Sequence, residues 1–199
     1  MTDPIVITEP TVEPLTVEEL KAHMRVDTAD EDDLILSYLV ESREYFEART
    51  RRTLHEKTLE YFCDRFPCGP IYLPFASPLI SVTGVWYKNS VGTETEWTGF
   101  VVDTNSEVGS VRPAYGQSDP SYTAYPVNSV RIRYKAGIAN QSPQVYPRQT
   151  IIGAIRLLAA GRYENREAEV IPGRSVMDTI ALQYGAETLI AMNQVRWAF

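Results

Sequence analysis

Cysteine and histidine are nearly missing from this chain: Cys63, Cys68, His23 and His55 are the whole complement among 199 residues. Two thiols with no second pair, and no histidine at ligand spacing from them, do not make a zinc or disulfide framework, so both read as reduced thiols and no metal or cofactor is expected. Long apolar runs are missing as well. The longest, 151–161, is interrupted by Arg156 and falls far short of the roughly 20 apolar residues that a membrane span needs. A basic leader is absent too, since the first ten residues carry Asp3 and Glu9; cytoplasmic residence is the expectation. Glycine-rich phosphate loops do not occur.

Positive charge is scarce where it would matter for nucleic acid. Residues 1–64 hold 7 basic and 16 acidic side chains, whereas the remainder holds 12 and 10. An acidic first third repels a phosphate backbone, which argues against sequence-independent DNA binding. The cluster from Asp27 to Asp33 lacks the alternation, mid-loop glycine and terminal glutamate of a calcium loop, and reads as charge at the start of a helix. Cys63 or Cys68 could be paired on paper with His55 as nucleophile and base, but no local motif supports it. An enzyme is not expected.

What is present divides the chain. Pro4, Pro10 and Pro14 punctuate β-branched residues in an extended N-terminal arm, 1–14. Thr16 and Glu19 have capping-box spacing, so a short helix should follow to about Met24. Leu34, Ile35, Tyr38, Leu39, Ser42, Tyr45, Phe46 and Arg49 recur every three or four residues, which predicts one long helix over about 30–52. From 53 to 140 the pattern changes to β-branched and aromatic runs, predicting strands over 54–62, 71–73, 79–87, 94–102, 110–112 and 127–134. Lys88 to Gly92 is the expected hairpin turn. A third helix after Pro147 presents Ile151, Ile155 and Leu158 to the long one, within a second helical stretch, 141–168.

The expected fold is therefore α+β: a small helical core (15–52 and 141–168) with an inserted antiparallel β domain (53–140) and extended terminal arms. The C-terminal arm, 169–199, follows the Pro172-Gly173 step and ends in Trp197-Ala198-Phe199. Tyr184, Ile190, Met192, Trp197 and Phe199 are its candidate interface anchors, aromatic and apolar groups suited to a pocket on another chain. Deleting this arm is expected to leave a folded core.

Several stretches in order resemble the head-tail connector, or adaptor, family of long-tailed bacteriophages and gene transfer agents. They are Leu15 to Asp27, Asp32 to Ile35, Thr50 to Leu54, Ile71 to Pro74, Ser77 to Val82, Val130 to Gly137, and Ile151 to Leu158 with Arg162 to Glu167. The resemblance implies a structural virion protein, assembled in the bacterial cytoplasm, that forms a ring, typically twelvefold, between the portal and the tail or a stopper. DNA then passes without sequence-specific binding, and Asp30, Asp32, Asp33, Glu41 and Glu44 become candidate channel-facing acids. The alternative is a cytosolic module that binds a ligand or peptide on its β domain.

Overall fold

The computed structural model describes residues 3–89, 91–120, 127–138, 149–166 and 176–196, with side chains 176–184 outside that set. In chain order the elements are β1 (Ile5–Thr8), α1 (Val17–Met24), α2 (Asp32–Thr50), β2 (Lys57–Cys63), β3 (Ile71–Tyr72), β4 (Leu79–Lys88), β5 (Glu94–Trp97), β6 (Phe100–Asp103), β7 (Ser110–Pro113), β8 (Val130–Ala136), α3 (Gln149–Glu164) and α4 (Val176–Asn193). They form two compact units. The β unit takes Met1–Thr11, Arg51–Ser142 and Val195–Phe199, and the helical unit takes Val12–Thr50 and Pro143–Gln194.

The β unit has an antiparallel five-stranded sheet in the order β1-β2-β8-β4-β5 and a three-stranded sheet, β3-β7-β6. In β8 the strict alternation of the sequence becomes two faces: Val130, Ile132, Tyr134 and Ala136 are buried, while Arg131, Arg133 and Lys135 point away from that core. Those cations meet carboxylates of adjoining strands, Arg131 with Glu60 and Glu94 at 2.9 and 2.7 Å, and Arg133 with Glu60 at 2.9 Å. Arg131 also lies over the Trp86 ring, 4.1 Å from its centroid. On the buried face Tyr134 donates its hydroxyl to the Pro74 carbonyl at 2.5 Å. Phe66, Trp97 and Phe100 stack edge-on or tilted at 5.1 and 5.6 Å, so these aromatics fill the core instead of lining a ligand cavity.

The hairpin lies where the turn residues place it: Lys88 pairs with Glu94, and the Asn89 side chain accepts from the Val91 and Thr93 amides at 3.1 and 3.0 Å. The run 94–102 is not one strand. It breaks at Thr98-Gly99 into β5, which joins β4, and β6, which joins β7 in the other sheet; Trp97 and Phe100 thereby enter one core from both sides of the break. Gly137 ties β8 to the chain before β2. Its φ of 105° suits glycine alone, and a Cβ there would collide with the His55 carbonyl.

In the helical unit α1 starts at the expected capping box, with Glu19 N–H donating to Thr16 Oγ1 at 3.2 Å and Thr16 N–H to Glu19 Oε2 at 3.0 Å. Helix α2 buries Ile35, Leu39, Ser42, Phe46 and Thr50 along one stripe and packs on α3, whose Ile151, Ala154, Ile155 and Ala159 are buried. Tyr38 and Tyr45 are only half-buried and Arg49 is exposed, because the stripe passes through Arg43 and Glu47 instead. Arg43 is 2% exposed and bonds Glu13 at 2.8 Å and Glu47 at 3.1 Å, which satisfies a charge that burial alone would forbid.

Both expected arms need correction. Residues 5–8 are extended, yet they form β1, paired with β2, and Asp3 and Glu9 reach Arg51 and Lys57. Residues 176–193 are helical and pack on α3. An amphipathic helix beside an apolar neighbour buries its own side chains more cheaply than it could wait for a partner.

Candidate functional site

The acids expected in a channel belong to the helical unit, which carries all of the net charge: nine basic and sixteen acidic side chains, against ten and ten in the β unit. On α2, Asp33, Glu41 and Glu44 are spaced eight and three residues apart and share the solvent face opposite the buried stripe. Asp30 is exposed in the turn before it. Asp32 is turned inward and half-buried, bonded to Lys21 at 2.6 Å. Glu41 and Glu44 stand only at long range from cations, 3.6 Å from Arg162 and 3.7 Å from Arg43. The row thus keeps most of its negative charge. The neighbouring Glu31 does not: Tyr163 donates to it at 2.5 Å and Arg166 at 2.7 Å. Those two donors, the tyrosine first, hold its carboxyl below the usual carboxylate range.

The C-terminal anchors separate. Ile190 is 3% exposed within its own chain, so the reading of Ile190 as a partner-facing anchor is corrected: α3 already takes it. Met192, two residues on, is 68% exposed. Between them Glu187 accepts from Tyr45 at 2.9 Å and Arg49 at 3.0 Å, and Asn193 donates to Thr150 at 3.3 Å, fastening α4 to the unit. The Tyr184 side chain, Trp197 and Phe199 lie outside the described residues.

Nucleophilic chemistry is opposed by the site of its best candidate. Burial pushes the Cys63 thiol up to about 11, so it stays protonated at neutral pH, the reverse of what a reactive cysteine needs. Among the described residues no group of three His, Cys, Asp or Glu side chains is placed to hold a metal ion.

Some surface features escaped the sequence reading. Ile5, Val6 and Ile7 of β1 are each about half exposed at the edge of the large sheet, and Tyr115 is fully exposed. Pro4 and Pro10 bound β1 in the sequence, but only pairing shows that it is an edge. The second is Arg156, which interrupts the apolar run of α3 and whose Nε is buried without an acceptor.

Residues 14–107, which span α1, α2 and the chain as far as β6, match the family described as phage gp6-like head-tail connector protein. Those residues belong to the head-tail connector family. The connector also matches solved structures over its whole length. A chain in the neck of an empty gene transfer agent particle, computed with C6 symmetry, is 22% identical, with a TM-score of 0.77 over 100% of this chain and 98% of that one. A chain in the virion of a native gene transfer agent particle gives 0.75 at 22% identity, and one in a native neck computed with C12 symmetry gives 0.73 at 21%, with the same coverage. At such identities the likeness is one of fold. No curated protein matches. The structural connector role expected from the sequence stands on the family match.

Proposed function

We propose that this connector is a non-enzymatic subunit of a ring in the neck of a phage or gene-transfer-agent virion, between the portal and the tail or a stopper. The family match over 14–107 carries the reading. The fold likeness to neck chains solved with sixfold and twelvefold symmetry supports the ring, twelve copies being the number proposed. A ring of identical copies needs head-to-tail contacts, in which two different faces of the chain meet.

In this assembly the acidic row Asp33, Glu41 and Glu44, with Asp30, faces the DNA path, where negative charge keeps the duplex from sticking. Met192, Trp197 and Phe199 are the C-terminal groups offered to the portal. The test is cryo-electron microscopy of particles carrying the tagged chain: density for it in a ring below the portal is the expected result, and its absence from the particle overturns the reading. Reversing Asp33, Glu41 and Glu44 to Lys tests the lumen separately. Rings should still assemble, but DNA should leave more slowly through added phosphate contacts; wild-type delivery by assembled mutant particles refutes the lumen placement.

A further inference from the structure

Of the arginines on the long helices of the helical unit, Arg43, Arg49 and Arg162 each approach a carboxylate, at 2.8, 3.0 and 3.6 Å. Arg156 approaches none among the described residues, and its Nε is buried with no acceptor. Its place on α3 explains why. Ile151, Ala154, Ile155 and Ala159 are buried where α3 packs on α2, and Gly153 and Leu157 face α4, close to Leu189 and Gly185. Arg156 follows Ile155 and is turned roughly 100° from it, so it occupies a third face, away from both of those helices. There the side chain is half-buried and none of its nitrogens is bonded to the described residues.

A guanidinium is always charged, and burying part of it unpaired is costly. The cost disappears when a carboxylate arrives, because the fork of Nε and a terminal nitrogen fits a carboxylate with two parallel bonds. The sixteen acids of the helical unit make a second copy of this chain the source the page favours. Several of those acids, Glu18, Asp27, Asp33, Glu41 and Glu44 among them, are exposed.

We propose that Arg156 is a docking residue, which receives a carboxylate from the helical unit of the adjacent copy in the ring. The proposal rests on the ring reading above. It also explains why an arginine interrupts an otherwise apolar segment: as a lone chain it gains nothing there, and only assembly supplies its partner.

The test uses the full-length chain, alone and with its portal ring, followed by native mass spectrometry and sedimentation at several salt concentrations. R156Q and R156M should melt at or above the wild-type temperature, since an unpaired charge is removed, yet self-association should weaken at least tenfold and lose part of its salt dependence. R156E should abolish rings, and reversal to Arg of one of the five exposed acids should restore them. If Asp33, Glu41 or Glu44 is the one that restores them, that acid belongs to the subunit contact and not to the lumen. Wild-type rings that persist unchanged in R156Q overturn the inference alone, as does loss of fold in both R156Q and R156M, which makes Arg156 structural. Failure of every charge reversal to rescue R156E overturns it too. Wild-type protein that forms no ring under either condition overturns the ring reading together with the inference.

Discussion

Removing the C-terminal segment is the perturbation on which sequence and structure disagree most. A free arm could be cut at residue 174 and leave the core intact. The structure instead places Ile190 and Ala186 in the interior of the helical unit, with Glu187 and Asn193 bonded to Tyr45 and Thr150. Truncating Ile190 to Ala at a site this buried should cost about 2–5 kcal/mol. The half-exposed tether from Glu187 to Arg49 adds little, because solvent screens it. For a unit of this size each kcal/mol lowers the melting temperature by about 4–8 °C, so Ile190→Ala should lower the helical unit's transition by ~10 °C or more. Deletion of 174–199 should leave that unit molten, with helical circular dichroism but no cooperative transition. Differential scanning calorimetry of the wild type, Ile190→Ala and the truncation measures this directly. A truncated protein that melts cooperatively within about 3 °C of wild type would refute the reasoning and return the segment to the status of an arm.

Leu39→Ala removes a fully buried side chain of α2 and should cost about 2–5 kcal/mol in urea unfolding; a loss below about half a kcal/mol would mean that α2 does not pack as described. The two thiols should differ in alkylation at pH 8: exposed Cys68 reacts first, while Cys63, pushed up to about 11 by burial, has on the order of one part in a thousand as thiolate, and equal labelling rates by mass spectrometry would contradict this. Glu187 is held below the usual carboxylate range by the hydrogen bond from Tyr45 first and that from Arg49 second. A lowered folded value makes its stabilisation complete above the model value of 4.5 and lost as pH falls through the folded value; Glu187→Gln should therefore melt below wild type at pH 7 and converge with it in acid, and a constant difference across that range would show that this tether does not titrate.

Local chemistry was legible wherever a few neighbouring residues decide the outcome. Thr16 and Glu19 specify their helix start because each supplies the acceptor for the other's free amide. The alternation of 130–136 specifies two faces, and Asn89 specifies its turn through its own side chain. The acidic row of α2 follows from spacing alone, which is why part of the candidate site could be read directly. Tertiary structure decided the rest, because it depends on which distant segments meet. Nothing in 94–102 marks the change of sheet at Gly99; the pairing partners β4 and β7 impose it. Burial of Arg43 and Glu47 depends on Glu13, thirty residues before Arg43. Whether α4 is an arm or a packed helix depends on the face that α3 offers. The isolation of Arg156 is the extreme case: its sequence neighbours are apolar, and only the packing of α3 on α2 and α4 shows that its Nε is left without a carboxylate.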